Sequence, residues 1–166
     1  MAGPVTGYNC KLYIAASVAA SPTWTEVKGV SDVSIGNLNR EEIELVFRGS
    51  SHKVKLGGAL EAPEVTFKFY HGVDGTMEAN LQSYLASQTV VMIGVADGSS
   101  STAGTQIFSM PCLITQMDCS QNLAEVESFD CKAVFTYAEV SSAQVFPTWS
   151  TVSSGGGGGG GGGGTG

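Results

Sequence analysis

The acidic residues are the first candidates for chemistry. Glu42 and Glu44 stand two apart, and so do Glu125 and Glu127. On a strand, that spacing puts both carboxylates of a pair on one face. Such a pair could serve glycoside hydrolysis, one carboxyl donating a proton while the other attacks or activates water. A solvated acidic face has the same spacing and needs no partner groups. The chain offers little support for catalysis. It has two histidines, His52 and His71. His71, Asp74 and a nearby serine could be drawn as a nucleophilic triad, but any serine-rich chain supplies such a set by chance. GxSxG and GxxxxGK[ST] are absent, and the glycine run Gly155–Gly164 lacks the lysine and helix that complete a phosphate loop. The expectation is no catalytic residue, no cofactor and no enzyme.

The four cysteines, Cys10, Cys112, Cys119 and Cys131, are separated by 101, 6 and 11 residues. Without a CxxC or a neighbouring histidine pair, this is not a zinc pattern. Free and mostly buried thiols are expected, behaving as small hydrophobes.

Charge is more informative. The 166 residues carry 15 acids and 8 bases, for a formal net charge of −7. Phosphate backbones require clustered Lys and Arg, so nucleic-acid binding is disfavoured. Five of the eight bases (Arg40, Arg48, Lys53, Lys55 and Lys68) fall between positions 40 and 68. After Phe69, Lys132 is the one base, against eight acids that include Asp118, Glu125, Glu127 and Asp130. An electrically polar molecule of this kind suits head-to-tail contact between copies. The Gly/Ser-rich basic segment Arg48–Leu60 reads either as a hairpin tip or as an arm that pairs with a neighbour. Glu125, Glu127 and Asp130 are the candidates for an acidic face opposite it.

The elements that must position these residues are short and apolar, broken by frequent polar punctuation, which is the pattern of an all-β chain. Hydrophobic residues are 42 % of the total and charged residues 14 %, well under the roughly 25 % of ordinary domains. Strands are predicted over Cys10–Ala16, Trp24–Val30, Ser31–Ile35, Glu42–Arg48 and Glu64–Tyr70, with a short return strand at Lys53–Leu56 stopped by Gly57-Gly58. Glu42–Arg48 alternates like a half-buried strand. In Glu64–Tyr70, Val65, Phe67 and Phe69 share a face. Met77, Leu81, Tyr84 and Leu85 recur at helical spacing, so Thr76–Ser87 is predicted as the one helix, capped by Thr76. Val90–Ala96 is nearly all apolar and suits a strand covered on both faces. Thr105–Asn122 is predicted as a long β segment bent near Pro111. Glu125–Tyr137 is predicted as the last strong strand, with a bulge near Ser128–Asp130. The result is mainly β: an antiparallel sandwich or barrel flanked by one α-helix. Residues 1–142 form this body. Residues 143–166 form a Ser/Gly-rich tail with Phe146, Pro147 and Trp149 as apolar anchors, able to dock on the body or on a neighbour.

Trp24 to Tyr70 resembles the N-terminal half of phage major tail proteins, the tail-tube family. The matching features are Trp24, Glu26, Val27, Gly29, Val30 and Asp32 in a W-x-E-V-x-G-V-x-D opening, the acidic start Glu41-Glu42, the run Arg48–Lys53 and the strand Pro63–Tyr70. Leu81–Leu85 in the helix and the β segments Met110–Gln116 and Glu125–Tyr137 follow in the same order, so the resemblance covers residues 10–140. It implies a structural virion protein that assembles with itself into hexameric rings stacked as a tube. It also implies other tail or virion proteins as partners and an acidic lumen through which DNA passes without specific binding. The long loop after the early strands, here Phe47–Leu60, would contact the adjacent ring, with Phe47, Arg48, His52, Lys53, Lys55, Leu56 and Leu60 as its arm residues. Assembly in the host cytoplasm is expected, because no apolar run approaches the ~18–20 residues of a membrane span and Met1–Tyr8 lacks a signal-peptide layout. The alternative is a monomeric β-sandwich that binds a ligand such as carbohydrate on an aromatic platform drawn from Tyr8, Trp24, Tyr70 and Trp149.

Overall fold

The computed structural model describes residues 10–36, 39–46, 48, 53–121, 123 and 125–153. In chain order the elements are β1 (Lys11–Ala15), β2 (Thr25–Glu26), β3 (Val30–Gly36), β4 (Arg40–Val46), β5 (Lys53–Leu60), β6 (Glu64–Tyr70), α1 (Gly75–Ser87), β7 (Val91–Ala96), β8 (Gln106–Ser120), β9 (Ser128–Phe135), β10 (Glu139–Val140), β11 (Ala143–Gln144) and β12 (Thr148–Thr151). Six strands, one helix and three long strands follow one another as the sequence predicts, and three short strands come after them.

The main sheet runs β2-β1-β7-β8-β9-β6-β3, with β12 added on β8. Every pairing is antiparallel. It is an open sheet among the described residues, so the barrel half of the sandwich-or-barrel expectation gives way to a sandwich with one helix. β8 makes this possible. Residues 107–112 pair with β7 along one edge. Along the other edge, 106–109 take β12 and 112–120 take β9. One strand thus belongs to two half-sheets, β2-β1-β7 with β12, and β9-β6-β3. The register shifts between Ile114 and Gln116. A bulge there adds bend and twist. The bulge predicted in β9 therefore lies across the ladder, in β8.

The two halves close over one core. Leu12 and Ile14 of β1, Val65, Phe67 and Phe69 of β6, Met77 and Leu81 of α1, Val91 and Ile93 of β7, and Phe108 and Met110 of β8 belong to a single buried cluster. The predicted alternation of β6 is observed, with its inward residues at 0–3 % exposure. β7 is buried on both faces along most of its length, because a second cluster of Tyr13, Ala96 and Ile107, flanked by Trp24 and Val152, covers its other side. The Tyr13 hydroxyl accepts a hydrogen bond from the Ser100 backbone N–H at 3.1 Å, which satisfies its polar end inside that cluster.

Where local expectations fail, the backbone explains why. The Trp24–Val30 strand is interrupted after Glu26, since Gly29 sits at φ +74 and a Cβ there would come within 2.9 Å of Val73. The helix begins one residue before Thr76. Its N-cap is Asp74, whose Oδ1 accepts from the Met77 N–H at 3.1 Å, a better cap than threonine. Gly57 and Gly58 do not stop β5, which runs through them to Leu60. Cys112 and Cys131 are buried, while Cys10 and Cys119 are exposed, so two thiols rather than most are in the core. Burial pushes both core thiols up to about 12.

Two tests follow from this packing. Gly94 lies under Trp24, and an added Cβ would meet the indole at 3.0 Å and Ile107 at 3.2 Å. Gly94→Ala should lower stability by about 1–3 kcal/mol through overpacking, read as a lower denaturant midpoint at unchanged slope. In the folded chain, iodoacetamide should alkylate Cys10 and Cys119 and spare Cys112 and Cys131 until denaturant is added, as peptide mass mapping would show.

Candidate functional site

Two exposed surfaces stand out, and both are built from strands. The first is the ribbon β4–β5, a separate two-stranded sheet. Ile43 pairs with Leu56, Glu44 with Lys55, and Val46 with Lys53. Paired residues of an antiparallel ribbon share a face. One side is therefore apolar, carrying Ile43, Leu45 and Leu56, and the other carries the charges. The charges are matched within the ribbon: Lys53 Nζ lies 2.7 Å from Glu44, and Lys55 Nζ lies 2.5 Å from Glu42. The segment read as a basic arm is thus largely neutralised by its own partner strand. Its apolar side has no such cover among the described residues. Ile43 is 45 % exposed, Leu56 50 % and Leu60 67 %, so β4 is not the half-buried strand its alternation suggests. Arg40 reaches across to the Gly58 carbonyl at 3.2 Å. A Cβ on Gly57 would strike the Arg40 stem at 2.6 Å, which is why glycine is accommodated in mid-strand here. Arg48 is exposed in a turn beyond β4. Phe47 and His52 lie outside the described residues.

The second surface is the outer face of the half-sheet β8-β9-β6-β3. Register places Asp32 beside Lys68, Lys68 beside Asp130, and Asp130 beside Asp118. Four strands thus contribute one row, with three acids and one base. The row next to it is Ser34, Thr66, Lys132 and Gln116. All of these except Asp118 line a shallow depression of about 590 Å³. Lys132 also bonds Glu64 at 2.6 Å. Asp130 therefore shares its row with Asp32 and Asp118 rather than with Glu125 and Glu127. Sequence reading did not group Asp32 and Asp118 with Asp130 because they meet it only through strand register.

Glu125 and Glu127 precede β9 and do not share a strand face as predicted. Glu127 accepts hydrogen bonds from the Gln121 amide and, at 3.1 Å, from the Cys119 thiol. These bonds hold its carboxyl below the ordinary carboxylate range, and they raise Cys119 in return. The His71 backbone N–H donates to the Glu127 carbonyl at 2.9 Å. The His71 ring meets Glu78 at 3.0 Å, and Glu78 also accepts from the Gly72 N–H at 2.7 Å. The group locks the turn before α1 to the corner between β8 and β9. Among the described residues no cluster of His, Cys, Asp and Glu has the arrangement of a metal site.

Among the described residues the aromatic candidates do not form a platform. Trp24 packs with Tyr13 and Ile107. Trp149 pairs in register with Phe108, and their rings lie 5.4 Å apart. Residues 107 and 108 point to opposite faces of β8, so the two tryptophans are on opposite sides of the sheet. Tyr70 lies in the other half-sheet, and Tyr8 is outside the described residues.

The sequence matches no family model and no curated protein. The fold has solved counterparts. A chain of the PVC extracellular contractile injection system, in its extended sheath–tube complex, is similar with a TM-score of 0.63 at 10 % identity, over 90 % of this chain and 93 % of that one. A chain of the SPP1 tail tube is similar with a TM-score of 0.58 at 12 % identity, over 80 % and 77 %. A chain from the tail of an empty gene transfer agent particle, refined with C6 symmetry, is similar with a TM-score of 0.58 at 15 % identity, over 82 % and 96 %. The chain therefore has the tail-tube fold.

Proposed function

We propose that the chain is a structural subunit of a virion tail tube. Its copies join side by side into rings, the rings stack, and DNA passes through the hollow centre. One observation carries the reading. In a chain with this fold, the half-sheet β8-β9-β6-β3 ends in two bare strand edges. Among the described residues β3 pairs with β6 alone, and Leu113–Ser120 of β8 pair with β9 alone. Bare edges are templates for another strand. Joining β3 of one copy to β8 of the next satisfies both edges, and a ring of copies closes into a barrel with none left. The C6 symmetry of the gene transfer agent tail supports six copies per ring.

The row Asp32, Lys68, Asp130 and Asp118 then runs on from copy to copy around the lumen. Its excess of acid, with the net charge of −7, keeps the phosphate backbone from sticking. Glu125 and Glu127 lie at the margin of this face, toward the stacking surface. The ribbon is the arm to the adjacent ring. It works through Ile43, Leu56 and Leu60, with Arg48 beyond β4, while Lys53 and Lys55 hold it together; Phe47 and His52 remain arm residues on the resemblance alone. The work is mechanical and needs no reaction or cofactor. The partners are further copies and other tail or virion proteins. The place is the virion tail, after assembly in the host cytoplasm. Among the described residues no helix is long and apolar enough to cross a membrane.

Electron microscopy and native mass measurement on concentrated protein should show rings or hollow tubes built from multiples of 17.1 kDa. A chain that remains monomeric at every concentration overturns the reading. Ile43→Ser with Leu56→Ser should leave the thermal transition of the body within about 3 °C, since exposed substitutions shift stability little, yet shorten or abolish tubes. Tubes of normal length from this variant would sink the arm assignment.

A further inference from the structure

The C-terminal segment stores strain and leaves its largest side chains wet. Strands β10 and β11 are two residues each and pair Glu139 with Gln144 and Val140 with Ala143. They are joined by Ser141 and Ser142, which sit at φ 52 and φ 63. Two consecutive left-handed residues make a type I′ hairpin turn, where Asn-Gly is preferred because a Cβ is crowded at those angles. Here both positions are serine. A two-stranded ribbon of this length is not stable alone. It faces the body across a recess of about 520 Å³ that its own Val140, Ala143 and Gln144 line together with Trp24, Met92 and Ser109. Beyond the hairpin, β12 lies on β8 with all four of its residues exposed. Phe146 is 59 % exposed and Trp149 58 %.

We propose that β12 is an exchangeable strand. In an assembly of this chain it lies on β8 of a second copy, and the β10–β11 hairpin is the hinge that opens to let it reach. The inference rests on the chain being a self-assembling subunit. Paired, Glu139 and Gln144 are about 5.5 Å apart; extended, the same six residues span about 20 Å. The seat on the second copy is the one this strand already fits. Thr148 pairs with Ser109 and Thr151 with Gln106, Trp149 covers Phe108, and Val152 packs with Tyr13 and Ile107. Exchange rebuilds these contacts, relaxes two left-handed serines and places Phe146 and Trp149 between copies. One copy gives a strand and the next receives it, a head-to-tail link that continues through an array.

The register supplies the test. Thr148→Cys and Ser109→Cys place thiols on cross-strand partners, within disulfide reach. The two single variants, each also carrying Cys10→Ser and Cys119→Ser, are mixed in equal amounts, assembled and oxidised. Exchange gives covalent heterodimers in the assembled fraction, identified by mass. The chain carrying both cysteines then links into multimers. Assembled double-cysteine chains that are all internally linked overturn the exchange and leave the tube reading standing. A chain that never associates overturns both. As a second measurement, Ser141→Asn with Ser142→Gly favours the closed turn and should slow tube growth severalfold. Growth at the wild-type rate would remove the hairpin as the hinge.

Discussion

The backbone of β8 has more hydrogen-bonding groups than any other strand, and the architecture follows from how its two edges are filled. A buried N–H or C=O without a partner is costly, so each stretch of edge must find a strand or meet water. One edge takes β7. The other takes β12 and then β9. With its first half in one half-sheet and its second half in the other, the strand bends, and the register shift after Ile114 absorbs the bend. The core lies between the halves, and α1 joins it through Met77 and Leu81.

The unfilled portion of that edge is as informative as the filled one. Among the described residues, Leu113–Ser120 have no strand partner on the side that β7 occupies earlier in the strand. Leu113 is half-buried, whereas Gln116 and Asp118 are exposed. The outward face changes from apolar to polar at the point where β7 ends. Sequence alternation along β8 follows that change, because a residue covered by a second layer must be apolar and one facing water need not be.

Much of this was legible in the sequence. Val65, Phe67 and Phe69 announce an inward face, Val91–Ala96 a strand covered twice, and Met77, Leu81, Tyr84 and Leu85 a helix against the core. What periodicity could not show was anything set by partners distant in the chain. Ile43 and Leu45 alternate like core residues, yet among the described residues Ile43 stays exposed and Leu45 only half-buried. Lys53 and Lys55 read as free charge until register sets them against Glu44 and Glu42. Gly57-Gly58 read as a breaker because sequence does not reveal an arginine stem lying over the backbone. Asp32, Asp118 and Asp130 are separated by up to 98 positions in the chain and become neighbours only when four strands align.

The same three aspartates bear on how the chain survives before it has neighbours. Asp32 sits on one terminal strand of the half-sheet and Asp118 on the other, each exposed. Inward or edge-borne charge is the usual protection of an unpaired strand against indiscriminate pairing. Two molecules meeting edge to edge in dilute solution bring carboxylates together before any ladder of hydrogen bonds has formed. The same penalty recurs at each joint, so a joint holds only where the full ladder of hydrogen bonds forms along both edges. Such a molecule stays monomeric when dilute, and a first row, once concentration lets it form, sets the register for the copies that follow.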